Sequence, residues 1–276
     1  MRKAVVFDCD GVLAETERDG HLLAFNRLFA EAGLDVEWSV RDYAALLHIT
    51  GGKERMMTIF ADERWTADRG LPTDRAGQEG LVAAWHRRKT EIFLELARSG
   101  ALSARPGVAR LAEEAQAAGW VVAVASTAAE PSVQAIVEHV LPPTVAGAVR
   151  VFAGDIVARK KPAPDIYHWA FGELGRSPAE ICVIEDSRPG LLAAQAAGAG
   201  VIITPSEFTV GEDFSETALV VDNLGTGEHP MRVLSSRLPH PPGSMVTTEV
   251  CEAVMALARA GESAAGGNAG KEGAGT

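Results

Sequence analysis

The chain has 276 residues, room for one large domain or for a core with a smaller inserted module. Its 47% hydrophobic and 23% charged residues are globular in balance, and no apolar run reaches the roughly eighteen residues of a membrane span. A formal net charge of −11 with no basic stripe argues against nucleic acid and anionic membranes as partners.

In chain order, Lys3–Phe7 (KAVVF) is a β-branched run closed by Asp8, the pattern of a buried parallel strand. No signal or transit segment precedes it, so the sequence reads either as cytosolic or as stripped of its targeting segment. From about Glu17 to Gly100 the pattern turns helical. Leu22, Phe25, Leu28 and Phe29 recur at helical spacing before Gly33. A second helix opens after Gly51-Gly52, and a long one covers about Asp74–Ala97; no strand is expected in this stretch. Beyond it the expected order is helix Val108–Ala118, strand Trp120–Ala125, helix Val133–Val140, strand Val149–Ala153 and helix Asp165–Leu174. Strand Ile181–Ile184, helix Leu191–Ala197 and strand Gly200–Thr204 follow. Such alternation makes a parallel sheet with helices on both faces, and ligands bind beyond the carboxyl ends of its strands. Asn223–Ser244 reads as mostly loop, 247–259 as a last helix, and the Gly-rich 261–276 as a disordered tail. The expected units are 1–14 with 101–222 as an α/β core, 15–100 as a helical cap, and 223–260 as a loop-plus-helix extension of the core.

The polar residues gather at strand ends. In Asp8-Cys9-Asp10-Gly11-Val12 the two acids lie two apart and face one side. Carboxylates that close repel unless a cation lies between them or one holds a proton. One can attack phosphorus while the other moves the proton of the leaving oxygen. Two solvated acids at a polar strand end would look the same in isolation. Ser126-Thr127 ends a second strand, where hydroxyls and backbone N–H groups can hold phosphate oxygens, although such pairs also serve as helix caps. Lys160-Lys161-Pro162 sets cations in a stiff loop. Glu185-Asp186 follows ICVI and offers the oxygen ligands that Mg²⁺ prefers. The cysteines Cys9, Cys182 and Cys251 show no CxxC spacing and read as reduced, buried thiols.

In this order the four motifs resemble the haloacid dehalogenase-like superfamily over about residues 1–222. The resemblance implies a Rossmann-like core with a helical cap. Asp8 would be the nucleophile, Asp10 the general acid/base, and Ser126 and Lys161 the holders of the transferring phosphate. Mg²⁺ would sit on Asp8, the backbone carbonyl of Asp10 and Asp186, with Glu185 nearby. Asp10 argues against dehalogenation, because a halide leaves without a proton.

Thr50-Gly51-Gly52-Lys53-Glu54-Arg55 places exposed N–H groups and two cations at a helix start, which suits a second phosphate, or merely a solvated turn. Glu17 and His21 leave the Asp8–Asp10 loop and suit contacts with sugar hydroxyls, or are merely a helix cap and a surface histidine. Lys89, in His86-Arg87-Arg88-Lys89, reads as one more reader of the substrate or as part of a solvated face. ITGGKERM, AETERDGH and the His86–Lys89 spacing resemble the CbbY-type sugar phosphatases, in particular the plant and algal form. That resemblance implies hydrolysis of xylulose-1,5-bisphosphate to xylulose 5-phosphate, removing a Rubisco inhibitor, in the chloroplast stroma; separately, the chain is expected to be a monomer. The rival readings are a β-phosphoglucomutase-like phosphomutase, a broader sugar-phosphate phosphatase, and a sugar-phosphate-binding regulator without catalysis.

Overall fold

The structure, a computed structural model, describes residues 3–49, 51–154 and 156–268. Thr50, expected at the substrate, therefore lies outside the described residues. Contacts divide the chain into two units, Thr16–Leu102 and a second made of Met1–Glu15 with Ser103–Thr276.

The first strand, β1 (Ala4–Phe7), is buried at every position. The helical unit opens with a π-helical stretch, Glu17–Leu22, that runs straight into α1 (Leu23–Glu31). Such wide turns recur at functional sites. On α1 the residues Phe25, Leu28 and Phe29 are buried, which is the stripe read from the sequence. Next comes α2 (Val40–Leu46), which the sequence reading does not anticipate. It starts at Ser39, whose hydroxyl accepts from the Asp42 N–H while Asp42 returns a bond to the Ser39 N–H. Then follow α3 (Gly52–Met57), α4 (Glu63–Asp68) and α5 (Arg75–Arg98), the last capped by Asp74. Rings of Phe25, Phe29, Trp38 and Tyr43 pack at 4.9–6.2 Å between centroids and form the aromatic heart of this unit. Among the described residues the unit holds no strand.

The core unit resumes with α6 (Val108–Ala117), β2 (Val121–Ala125), α7 (Glu130–Val140), α8 (Pro143–Ala146) and β3 (Arg150–Phe152). It continues through α9 (Asp165–Leu174), β4 (Ile181–Glu185), α10 (Arg188–Ala196), β5 (Gly200–Ile203), β6 (Leu219–Val221), β7 (Val233–Ser236) and α11 (Thr248–Asn268). The strands form one sheet in the order β3-β2-β1-β4-β5-β6-β7. Every pairing is parallel except that of β6 with β7. One face packs Ala4, Val6, Ala123, Ile181 and Val183 against residues of α9 and α10, among them Ile166, Phe171 and Leu191. The alternate residues of β1 and β4 point to the opposite face, where α6 and α11 lie.

At the end of the chain the structure adds two features. The stretch read as mostly loop contains β7, an edge strand with all four residues exposed. It shows no apolar alternation because neither face is buried, and ladder bonds to β6 hold it. The last helix is longer than expected and reaches Asn268. The remainder of the expected tail, 269–276, lies outside the described residues.

Candidate active site

The chain winds outward from the sheet centre, from β1 to β2 and β3 on one side and then to β4 and β5 on the other. Open α/β sheets bind ligands where the winding reverses. The carboxyl ends of the adjacent strands β2, β1 and β4 carry Ser126, Asp8 and the pair Glu185-Asp186. The Asp8 N–H donates to the Ile184 carbonyl at 2.9 Å, which fixes the first acid beside the late pair. Oxygen atoms of Asp8, Glu185 and Asp186 lie within 4.8 Å of one another, all three residues buried.

Gly11 closes the turn after Asp10 with φ +73°. A Cβ at Gly11 would lie 2.2 Å from Asp186 Oδ2, so both the dihedral and the space require glycine. Asp10 is half-buried beside the cluster and its charge acts on Asp8.

Lys161 stands in the loop between β3 and α9, after which its peptide to Pro162 is cis. Its ammonium donates to Asp8 Oδ1 at 2.5 Å and to Glu185 Oε1 at 2.6 Å. Glu185, fully buried, is held at both oxygens. Oε1 also accepts from the Tyr167 hydroxyl at 2.5 Å, and Oε2 from the Asp186 N–H at 3.1 Å and Ser187 Oγ at 3.3 Å. Glu185, the first acid of the pair, thus orients Lys161 as well as offering a ligand. Asp186 Oδ2 accepts from Thr209 Oγ1 at 3.3 Å. Ser126 is 2% exposed, and its Oγ accepts from the Ala128 N–H at 3.1 Å, which shapes the loop rather than capping α7. Thr127 beside it is half-buried.

Burial pushes the Asp8 carboxyl up to about 7; Lys161 pulls against that shift, while Glu185 and Asp10 add to it. Asp186 is driven well above the usual carboxylate range, first by burial and then by Glu185 and Asp8. Burial lowers the Lys161 ammonium, but Asp8 and Glu185 outweigh it and hold the group well above its usual value. Crowded oxygen donors that resist ionisation are what a small hard cation relieves, and the donor set fits Mg²⁺.

A second constellation lies in the helical unit. The Tyr43 hydroxyl, fully buried, donates to Glu17 Oε2 at 2.6 Å and accepts from Arg55 Nη1 at 3.0 Å. Arg55 Nε also donates to the Ile49 carbonyl at 3.0 Å. Lys89 is only 7% exposed, which corrects the solvated-face alternative; its neighbour Arg88 is the surface residue, bonded to Glu31, Glu91 and Glu95. The Lys89 ammonium meets His21 Nδ1 at 2.8 Å and lies 4.7 Å from the Phe25 ring centre. Burial, then Lys89, Arg55 and His86, hold the His21 imidazole well below its usual value. Gly51 caps α3 with φ 103°, and the Glu54 carboxylate lies against it. Gly52 faces His86, and Lys53 is exposed.

The sequence reading misses Tyr43, Tyr167 and Arg105. Scarcity was a usable signal for the first two. The chain has two tyrosines. Each donates to a carboxylate of one of these constellations.

A family model described as haloacid dehalogenase-like hydrolase matches residues 2–198. The chain is 46% identical over 225 residues to a CBBY-like protein of Arabidopsis thaliana, a match covering 82% of this chain and 70% of that one. Among solved structures, CbbY from Rhodobacter sphaeroides in complex with phosphate is 38% identical, with a TM-score of 0.66, over 81% of this chain and 95% of that one. A substituted variant of the same protein in complex with xylulose-(1,5)bisphosphate is 37% identical, with a TM-score of 0.64 over the same shares.

Proposed function

Because the chain belongs to the haloacid dehalogenase-like hydrolases, we propose that it is a Mg²⁺-dependent phosphatase converting xylulose-1,5-bisphosphate to xylulose 5-phosphate and phosphate. The observation that carries this reading is the buried Asp8, 2.5 Å from the Lys161 ammonium and within 4.8 Å of Glu185 and Asp186 oxygens.

Asp8 attacks the phosphorus and its new O–P bond replaces the bond to the sugar oxygen, which takes a proton from Asp10. Water then attacks the aspartyl phosphate, Asp10 takes the water's proton, and phosphate leaves with the Asp8 carboxylate restored. Lys161 balances charge on the phosphoryl group as it transfers, with its own position set by Glu185. Ser126 and Thr127 orient the equatorial oxygens. Bound to Asp8, Asp186, the Asp10 carbonyl and, nearby, Glu185, Mg²⁺ would lower the Asp8 pKa and neutralise phosphoryl charge.

The helical unit reads the remainder of the substrate. Glu17 and His21 meet sugar hydroxyls, while Lys53, Arg55 and Lys89, with the Gly51-Gly52 backbone, take the remote phosphate; Thr50 belongs to this set by sequence. A related protein's complex with the bisphosphate supports this choice. The role in removing a Rubisco inhibitor and the chloroplast stroma rest on the resemblance to the plant and algal form; a monomer is the expected state.

The test is a panel of sugar mono- and bisphosphates with Mg²⁺, scored by released phosphate. The expected result is one phosphate per xylulose-1,5-bisphosphate. Turnover that needs a bisphosphate primer and releases no phosphate would overturn the reading in favour of a mutase.

A further inference from the structure

Arg105 takes no part in the transfer chemistry, yet it is 6% exposed and anchored on several segments at once. It stands just after the chain rejoins the core unit at Ser103. Its Nη1 donates to the Gly11 carbonyl at 2.8 Å and pairs with Glu15 at 3.2 Å. Nη2 donates to Thr204 Oγ1 at 2.8 Å, the Pro205 carbonyl at 3.0 Å and the Asp222 carbonyl at 2.9 Å. These acceptors belong to the segments leaving β1, β5 and β6. In the sheet β4 lies between β1 and β5, so the guanidinium bridges over the end of the strand that carries Asp186.

The link to the metal ligands runs through Gly11. That residue has no room for a methyl group because Asp186 Oδ2 occupies the place. The turn is therefore wedged between Asp186 on one side and the Arg105 fork on the other. Upstream, the Asp8 N–H is tied to β4. The segment from Asp8 to Gly11 thus has an anchor at each end, and Arg105 supplies the far one. Lysine, a point donor on a flexible stem, cannot reproduce a fork reaching carbonyls in two directions.

We propose that Arg105 is a positioning residue for the metal-binding carboxylates, fixing the spacing of Asp8 from Asp186 by holding the Gly11 turn against the β5 and β6 loops. This rests on the reading of the site as Mg²⁺-binding. Groups that orient metal ligands typically contribute about 10- to 100-fold in metal affinity.

The experiment measures Mg²⁺ binding by calorimetry without substrate, alongside thermal unfolding and steady-state kinetics, for Arg105→Lys and Thr204→Val. Arg105→Lys is expected to bind Mg²⁺ at least about tenfold more weakly. Raised Mg²⁺ should restore most of its kcat, with the sugar KM unchanged at saturating metal. Thr204→Val, which removes one acceptor and keeps the charge, should show a smaller loss in the same direction. Mg²⁺ affinity equal to the unaltered protein in both variants overturns the proposal. If Arg105→Lys does not fold, unaltered affinity in folded Thr204→Val overturns it by itself. Failure of the unaltered protein to bind Mg²⁺ would instead overturn the functional reading beneath it.

Discussion

Gly190→Ala isolates the dependence of the site on Glu185. Gly190 is in the first turn of α10, where alanine should gain about 0.5–1 kcal/mol over glycine from helix propensity alone. A Cβ at Gly190, however, would lie 2.0 Å from Glu185 Cδ. Ordinary contact requires the carboxyl group to retreat by roughly 1.5 Å. That retreat takes Oε1 away from both Lys161 and Tyr167, at 2.6 Å and 2.5 Å in the native arrangement. Breaking a buried charged pair costs about 3–5 kcal/mol, so the net loss is about 2–4 kcal/mol. A chain of this size should lose roughly 5–15 °C in Tm. With Lys161 misplaced, kcat should fall about a hundredfold. Gly80→Ala in α5 is the control, since nothing lies within 4 Å of a Cβ there, and it should be neutral or stabilising. Differential scanning calorimetry and phosphate release read both effects. A Gly190→Ala protein that melts with the unaltered one and turns over normally would refute the packing argument.

Asp8→Asn should abolish turnover and leave the fold intact, because Lys161 keeps its 2.6 Å bond to Glu185; substantial residual phosphate release would remove Asp8 as the nucleophile. Lys53→Ala and Arg55→Ala should lower kcat/KM for a bisphosphate about 10- to 100-fold and that for a small monophosphate far less, and equal losses would contradict a remote phosphate site. His21 should stay neutral between pH 8 and the ordinary histidine value of 6.5, since burial and then Lys89, Arg55 and His86 depress it. A depressed folded pKa means that protonation favours the unfolded chain, so this ring's share of stability is whole above 6.5 and lost as pH falls through the folded pKa. An NMR titration of the ring with its midpoint at or above 6.5 would refute that electrostatic picture.

β1, β2, β4 and β5 were legible because they are buried at nearly every position and read as apolar runs. What escaped had no such signature. VRDYAAL is one turn longer than a loop and shows no stripe, so α2 depends on its Ser39 cap and on aromatic packing around Tyr43. LVV in β6 is too short to read, and β7 has no buried face to impose alternation. The burial of Lys89 was masked by its charged neighbours, although its spacing from Trp85, Ile92 and Phe93 places it on the apolar side of α5. Arg105 could not be found at all by pattern, since its five acceptors are scattered along the chain and four of them are more than ninety residues away.

Cys9, Cys182 and Cys251 are free, inaccessible to solvent, and all on the sheet-bearing side of the division at Thr16 and Leu102. A thiol dye such as Ellman's reagent therefore keeps time for the opening of β1, β4 or α11 and is silent about events confined to α1–α5. Because Cys9 is the next residue after Asp8, its labelling also stamps each molecule in which that strand has let go, a covalent record that can be counted by mass long after refolding.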